Sequence, residues 1–300
     1  MAHDLISIIV PTRNSVKKIS HLLKSLSEST DSNFELIVVD SVDSSDYMDE
    51  LCSKYSSNFK IHYFKKYKYL PQARNSGAAH AKGSILLNLD SDMSVSKSLL
   101  GECRELIHSG FDALIIPEFA IGNSYWSKIK AIEKNMYQGQ REIEGIRCVS
   151  SELFSNLNGY NEELFFSEDK DFDLRAQKFG AKIGRTQSSL IHYEGRASLK
   201  ELLSKKIVYA KSAFKYKKIH AESFAWQKNP LNRFVIFWEK RKISNSVHQL
   251  ISLYILKILE YVFSFIAYNY LQSNYLKTAN QLKTTVPHLR KSVGKNLLDL

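Results

Sequence analysis

Acidic residues are scarce at one end of this sequence. Of its 31 Asp and Glu residues, only 5 lie in residues 201–300, against 17 Lys and Arg, so that third carries a net +12. Residues 1–200 hold 25 basic and 26 acidic side chains and are close to neutral. The total of +11 is therefore local, which argues against a uniformly basic nucleic-acid binder. Cysteine is scarce too. Cys52, Cys103 and Cys148 are far apart and form no CxxC pair. That argues against a disulfide framework or a cysteine zinc site and suits a reducing compartment. The opening residues, Met1-Ala2-His3-Asp4, lack a basic stretch followed by an apolar one. The expectation is a body that faces the cytosol. The sequence shows neither an internal repeat nor a low-complexity segment. With 44% hydrophobic and 24% charged residues, it has the composition of a folding chain.

What is present begins as an alternation. Leu5–Val10, Phe34–Val39, Phe59–Phe64, Ser84–Leu89 and Asp112–Ile116 read as short buried strands. Between them, Ser15–Ser27, Ser44–Tyr55, Leu70–Ala81 and Lys97–His108 read as helices; the first spaces Val16, Ile19, Leu22, Leu23 and Leu26 along one face. This rhythm predicts an α/β fold, a doubly wound, mostly parallel sheet with helices on both faces. Ligands in such sheets bind beyond the carboxyl ends of the strands. Two of these strands run directly into an Asp, at Asp40 and Asp90. Further helices are predicted at Trp126–Gln138 and Asp169–Phe179, and a strand at Ser189–His192. Residues 201–300 read as helical, and the charge balance places a boundary near residue 200.

The densest chemistry follows the fourth strand. Asp90-Ser91-Asp92 puts two carboxylates one residue apart, a pattern that suits Mn²⁺ or Mg²⁺ with substrate phosphates completing the shell. Taken alone, the pair is also what two solvated turn aspartates look like. Upstream stands Ala73-Arg74-Asn75-Ser76-Gly77, then Ala81-Lys82-Gly83. Arg74 has the fork that grips a diphosphate, Gly77 would permit close backbone approach, and Gly83 would stop the helix.

In this order the segments resemble family 2 glycosyltransferases of the GT-A fold, over about residues 5–200. The family's ARNxGxxxAxG segment, apolar strand and DxD are ARNSGAAHAKG, SILLNL and DSD here. Pro11-Thr12-Arg13-Asn14 matches its opening P-T-x-N element. Val39-Asp40-Ser41-Val42-Asp43 matches its nucleotide-binding turn, without the usual Gly. Asn158-Gly159-Tyr160-Asn161-Glu162 is similar to its G-G-[FY]-[DN]-E segment. Ser167-Glu168-Asp169 and then Asp171-Phe172-Asp173-Leu174-Arg175 are similar to its ED-x-D-L-x-R motif, with one extra residue in the spacing.

The resemblance implies an inverting enzyme that moves a sugar from a nucleoside-diphosphate sugar to an acceptor hydroxyl. Pro11, Thr12, Asn14, Asp40, Asp43, Arg74, Asn75, Asp90 and Ser91 would bind the donor. Asp92 and Asp90 would hold the metal. His192, after the strand SSLI, would be a third ligand or a structural histidine. Asp169 would be the general base, supported by Glu168, while Asp171 and Asp173 suit the first turn of a helix. Arg147, Gly159 and Tyr160 fall on the acceptor side, Arg147 in a loop. Two alternatives are a polyprenyl-phosphate acceptor and a noncatalytic nucleotide-sugar-binding protein.

The last third interleaves cations with apolar and aromatic residues, as in LLSKKIVYAKSAFKYKK (202–218) and NRFVIFWEKRK (232–242). Such helices suit a membrane interface. Leu250–Leu271 is long enough to span a bilayer, but Lys257 and Glu260 sit near its middle. As a helix it places Lys257, Glu260, Ser264 and Tyr268 on one side and Leu253, Leu256, Leu259, Val262, Phe263 and Ile266 on the other. In-plane docking on a membrane or packing onto the body fits that pattern better than spanning. The expectation is a protein peripheral on the cytoplasmic face of a membrane, acting on a glycan or lipid-linked acceptor, with no nucleic-acid partner.

Overall fold

The computed structural model describes the backbone of residues 5–244 and 246–285. Side chains at 207–208, 210–211, 214, 227–228 and 272–285 lie outside the description, as does the part of the basic region beyond 285. The chain opens with β1 (Ile6–Thr12), α1 (Val16–Ser27), β2 (Phe34–Ser41), α2 (Met48–Tyr55), β3 (Lys60–Tyr67), α3 (Leu70–His80) and β4 (Ile85–Asn88). Then follow β5 (Met93–Val95), α4 (Leu99–His108), β6 (Ala113–Ile115), β7 (Glu118–Ile121), α5 (Tyr125–Met136), β8 (Ile146–Ser150) and α6 (Ser151–Asn156). α7 (Glu168–Phe179), β9 (Ile183–Arg185) and β10 (Leu190–Tyr193) lead into α8 (Leu199–Ile219), α9 (Ala221–Lys228), α10 (Pro230–Glu239) and α11 (Val247–Thr285).

The main sheet has seven strands in the order β3-β2-β1-β4-β8-β6-β9. β3, β2, β1 and β4 run parallel, as the βα rhythm predicts. β8 then enters antiparallel between β4 and β6. A smaller sheet, β5-β10-β7, stands beside it. The sequence reading missed β5, β7, β8 and β9, all short, and took the region of β8 for a loop.

Alternation along β1 divides the core. Ile6, Ile8 and Val10 pack with Ile19, Leu22, Leu23 and Leu26 of α1 and with Leu99, Leu100 and Cys103 of α4. Ile9 faces the opposite way, onto Leu86, Val149, Phe154 of α6 and Phe172 of α7. The i, i+3, i+4, i+7 spacing in α1 is what lets one stripe of the helix meet the sheet. Asp46 Oδ2 accepts from Val16 N at 2.8 Å at the start of α1. That supplies the cap which Ser15 does not make with its own side chain. Gly77, read as a site of close approach to ligand, instead lets α3 approach β1: a Cβ there would lie 2.5 Å from Ile9 Cγ2. All three cysteines are buried and free.

The C-terminal helices build a core of their own against α5, around Ile129, Met136, Leu202, Ile236, Phe237, Leu253 and Leu256. α11 turns its polar side inward. Lys257 and Glu260 are buried and pair with Lys130 and Glu133 of α5 and Lys206 of α8. Ile251, Ile255, Ile258, Val262, Phe265 and Ile266 face outward. The charges that argued against spanning therefore serve packing between helices. Leu253 and Leu256, expected on the side opposite Lys257 and Glu260, are buried beside them, so the apolar stripe left on the surface is a different one from that predicted.

Candidate active site

A cavity of about 310 Å³ opens beyond the carboxyl end of β4. Arg74 of α3, Asp90, Arg147 of β8, Tyr160, Asp169 of α7 and His192 of β10 line it. Strand order explains the convergence. β4 is central, so Asp90 emerges mid-sheet, and β8 lies beside it with Arg147 pointing to the same end. Arg147 is thus on a strand, not in a loop.

Asp90 is held from both sides. Its Oδ1 accepts from Arg74 Nη2 at 2.9 Å, and its Oδ2 lies 3.1 Å from Arg147 Nη1. Burial alone would raise its pKa, but Arg147, Arg74 and His192 hold it well below the usual carboxylate range. Arg147 also donates from Nε to Glu118 Oε1 at 2.7 Å. Against the same burial cost, Arg147 and then His192 bring Glu118 down to about 2. Glu118 follows the strand β6 through Ile116 and Pro117 and escaped the sequence reading. Its position just past a strand end was the available signal, as it was for Asp40 and Asp90.

Arg74 is buried and also donates from Nη1 to Glu168 Oε1 at 2.8 Å. It stands over the Tyr160 ring, 5.4 Å from the centroid. Glu168 behaves oppositely to Asp90: burial outweighs the pull of Arg74, neighbouring Asp169 adds repulsion, and its pKa is pushed up to about 7. Arg74 was expected to meet a diphosphate; here both ends of its guanidinium are engaged by protein carboxylates. Asp169 is half-buried on the cavity wall, and its Oδ1 accepts from Lys170 N at 2.8 Å.

Of the residues expected to hold a metal, Asp92 and His192 come together, with Oδ1 to Nε2 at 3.4 Å. His192 Nδ1 lies 3.5 Å from Glu118 Oε2 and 3.4 Å from Lys134 Nζ. Among the described residues no group of three or more His, Cys, Asp or Glu is arranged around a common point. One carboxylate oxygen and one imidazole fit a hard or borderline divalent cation whose other positions go to diphosphate oxygens. Asp90 would join only by releasing an arginine.

The residues expected to bind the nucleotide form a bonded turn at the ends of β1 and β2. Thr12 and Asp40 pair in register. Asp40 Oδ1 accepts from Thr12 Oγ1 at 2.7 Å and Ser44 Oγ at 2.8 Å; Oδ2 accepts from Tyr63 OH at 3.2 Å. Asp40 is fully buried and braces this turn. Asn14 takes a left-handed φ of 49° and accepts from Ser45 N at 2.8 Å. Asp43 is exposed, 3.9 Å from Arg13. Pro11 is half-buried within β1, and Ser91 is buried between Asp90 and Asp92.

Asn75, expected to bind the donor, instead holds the turn at Tyr160, whose ring lies under neighbouring Arg74. Its Nδ2 donates to Tyr160 O at 2.9 Å and its Oδ1 accepts from Tyr160 N at 2.8 Å. Gly159 has φ +65°, and a Cβ there would lie 2.6 Å from Asn75 Oδ1. Ser167, before α7, has φ 74°, a strained conformation for a residue with a Cβ. The segment is gripped from α8: Ser212 Oγ accepts from Phe166 N at 3.1 Å and donates to Phe166 O at 2.5 Å. His220 Nε2 lies 2.8 Å from Asp171 Oδ1, both side chains buried. Arg141 takes Asp173 with two bonds, at 2.6 and 2.7 Å. Asp171 and Asp173 are thus buried anchors of α7, beyond the dipole role expected of them.

Solved structures with this architecture include the mannosyltransferase PcManGT of Pyrobaculum calidifontis in complex with GDP-Man and Mn²⁺. It has a TM-score of 0.57 at 14% identity, over 87% of this chain and 85% of that one. S. aureus TarS 1–349 in complex with UDP-GlcNAc gives a TM-score of 0.53 at 17% identity, over 90% and 92%. These likenesses establish the GT-A fold that the sequence predicts.

In sequence, the chain is 24% identical over 238 residues to a pre-mycofactocin glycosyltransferase of Mycobacterium tuberculosis, covering 71% of this chain and 47% of that protein. It is 36% identical over 182 residues to an uncharacterized glycosyltransferase of Haemophilus influenzae, covering 57% and 61%. The chain thus spans roughly half the length of the curated relatives it matches. Residues 7–165, which contain Asp40, Arg74, Asp90, Asp92 and Arg147, match the Glycosyl transferase family 2 pattern, and the chain belongs to that family.

Proposed function

We propose that this glycosyltransferase moves a sugar from a nucleoside-diphosphate sugar to an acceptor hydroxyl, with inversion, at a membrane surface. The observation that carries this reading is the single cavity on which Asp90, Asp169 and His192 open together. The reaction forms a bond from the acceptor oxygen to the anomeric carbon as the bond from that carbon to the diphosphate breaks. The electron pair leaves with the nucleoside diphosphate, and the acceptor proton passes to Asp169. Proton transfer of this kind contributes about 10²–10⁴-fold. Arg74 and Glu168 fix the floor beneath Asp169 and Asp90. Arg147 is placed to meet phosphate oxygens once it leaves Asp90. Mn²⁺ or Mg²⁺ on Asp92 and His192 would neutralise charge developing on the leaving diphosphate. The nucleotide would lie along the turn braced by Asp40, with Asp43 exposed at its edge. The Mn²⁺ and nucleotide-sugar complexes of the structural relatives support this reading.

Membrane association is supported by α11. Within Val247–Leu271, an 18-residue stretch has a mean hydropathy of 1.8, and 28% of it is buried. α10, which packs on α11 through Phe234, Phe237 and Tyr254, also exposes Leu231, Val235 and Trp238, with Arg241 over the Trp238 ring and Lys242 exposed next to it in sequence. An apolar face flanked by cations suits the headgroup region of an anionic bilayer. Docked in plane, the stripe would seat residues 201–300 on the membrane and leave residues 1–200 as the catalytic domain above it.

A panel of nucleotide sugars with Mn²⁺ or Mg²⁺, read by thermal stabilisation, tests the reading. One nucleotide sugar should raise the melting temperature only with metal. Silence across the panel overturns it.

A further inference from the structure

A second cavity, about 210 Å³, opens where α5 meets α8, α10 and α11. Tyr137 and Ile143 line both it and the cavity at Asp90, so the two share a wall. Lys257 Nζ lies 2.7 Å from both Glu133 Oε1 and Glu260 Oε2. Lys206 Nζ lies 3.2 Å from Glu260 Oε2. Behind them, Lys130 Nζ reaches Glu133 at 2.6 Å and Glu260 at 3.3 Å. Three lysines thus share two carboxylates, so the ammoniums outnumber the carboxylates by one when all three are protonated. Arg233 also lines the cavity, its guanidinium 4.6 Å from the Tyr137 ring centroid. Burial, then repulsion from Lys130, lowers Lys206 to about 7. A half-buried surplus of positive charge is costly until an anion meets it.

We infer that this cavity binds a phosphate group of the acceptor, between Lys206 and Arg233 with Lys257 at its floor. A phosphate ester presents several acceptor oxygens to lysine ammoniums and an arginine fork, a match that a sugar hydroxyl lacks. The shared wall puts a phosphate here one side chain away from the cavity that holds Asp169. Tyr261 and Ser264 of α11 also line the opening, on the helix whose outer face is apolar. The phosphate belongs either to a lipid or to a soluble sugar phosphate. The inference rests on the proposed sugar transfer for its meaning, but its test does not.

The test is calorimetric titration of the full chain in EDTA with inorganic phosphate, octyl phosphate and octyl glucoside. Both phosphates should bind and octyl glucoside should not. Lys206→Met and Arg233→Gln should each weaken phosphate binding by roughly tenfold or more. Lys206→Arg should retain it, and Asp92→Asn, in the other cavity, should leave it unchanged. Circular dichroism confirms that each variant is folded. Octyl phosphate binding at least tenfold tighter than inorganic phosphate assigns a lipid phosphate; equal affinity assigns a soluble one. Absence of phosphate binding, or equal binding by folded Lys206→Met and Arg233→Gln, overturns the inference. Nucleotide-sugar stabilisation in parallel separates this failure from failure of the proposed function.

Discussion

Arg74 Nη1 donates to Glu168 Oε1 at 2.8 Å across 94 residues of sequence. The bond joins α3 to the first turn of α7 and places a guanidinium between Glu168 and Asp90. Asp90 shares its charge with two arginines and stays ionised; Glu168, nearly sealed from water, is raised to about 7.

That difference has a pH signature. An unfolded chain releases the Glu168 proton near the usual value of 4.5, whereas the folded protein keeps it to about 7. This group's stabilising contribution is full below pH 4.5 and declines as pH rises toward 7, by roughly 3 kcal/mol. Glu168→Gln should remove that decline. Urea unfolding of both proteins at pH 5 and pH 7.5 measures it, and a pH-independent difference between them contradicts it.

Asp169→Asn should lower kcat by about 10²–10⁴-fold while leaving nucleotide-sugar stabilisation in place. The variant also sorts acceptors. A phosphate oxygen that is already ionised needs no base, and with such an acceptor most activity would survive.

Asp92→Ala and His192→Ala should each raise the Mn²⁺ concentration needed for nucleotide-sugar stabilisation by at least roughly tenfold. Metal titrations followed by melting temperature give the answer. Unchanged midpoints would remove both residues from the metal site.

Ile255→Glu with Phe265→Glu should abolish flotation with anionic vesicles. Both side chains are on the outer face of α11, and Phe265 is 71% exposed. The folded core is untouched, so the melting temperature should hold. Flotation equal to the parent's would refute membrane docking through this stripe.

Gly159→Ala should destabilise by about 1–3 kcal/mol, because it combines a left-handed backbone with a contact at 2.6 Å to Asn75 Oδ1. A melt within 1 °C of the parent, on the order of measurement error, would show that Asn75 can yield.

Parts of this arrangement were legible in the sequence because local rules govern them. The βα rhythm of residues 5–90 follows from aliphatic strands and helical spacing. Asp40, Asp90 and His192 stand out because each lies at a strand end. The partners of these residues were not legible. Arg147 reads as a loop residue because Ile146–Ser150 is a short strand interrupted by a charge; only its place between β4 and β6 reveals it. Glu118 meets His192 because β7 pairs with β10, a contact between segments 74 residues apart. Lys257 and Glu260 look like defects in an apolar helix until Lys130 and Glu133 are found opposite them.

The grip of α8 on the segment before α7 bears on how this chain can be shortened. Ser212 holds both the N–H and the carbonyl of Phe166, and His220 meets Asp171 one turn into the helix that carries Asp169. A cut near residue 200 would strand a buried aspartate and loosen the peptide leading to Glu168. Protease nicking within 201–220 should therefore silence turnover before it releases the fragment. Within the basic third, α8 and the His220 that ends it are thus part of the scaffold that sets α7 in place.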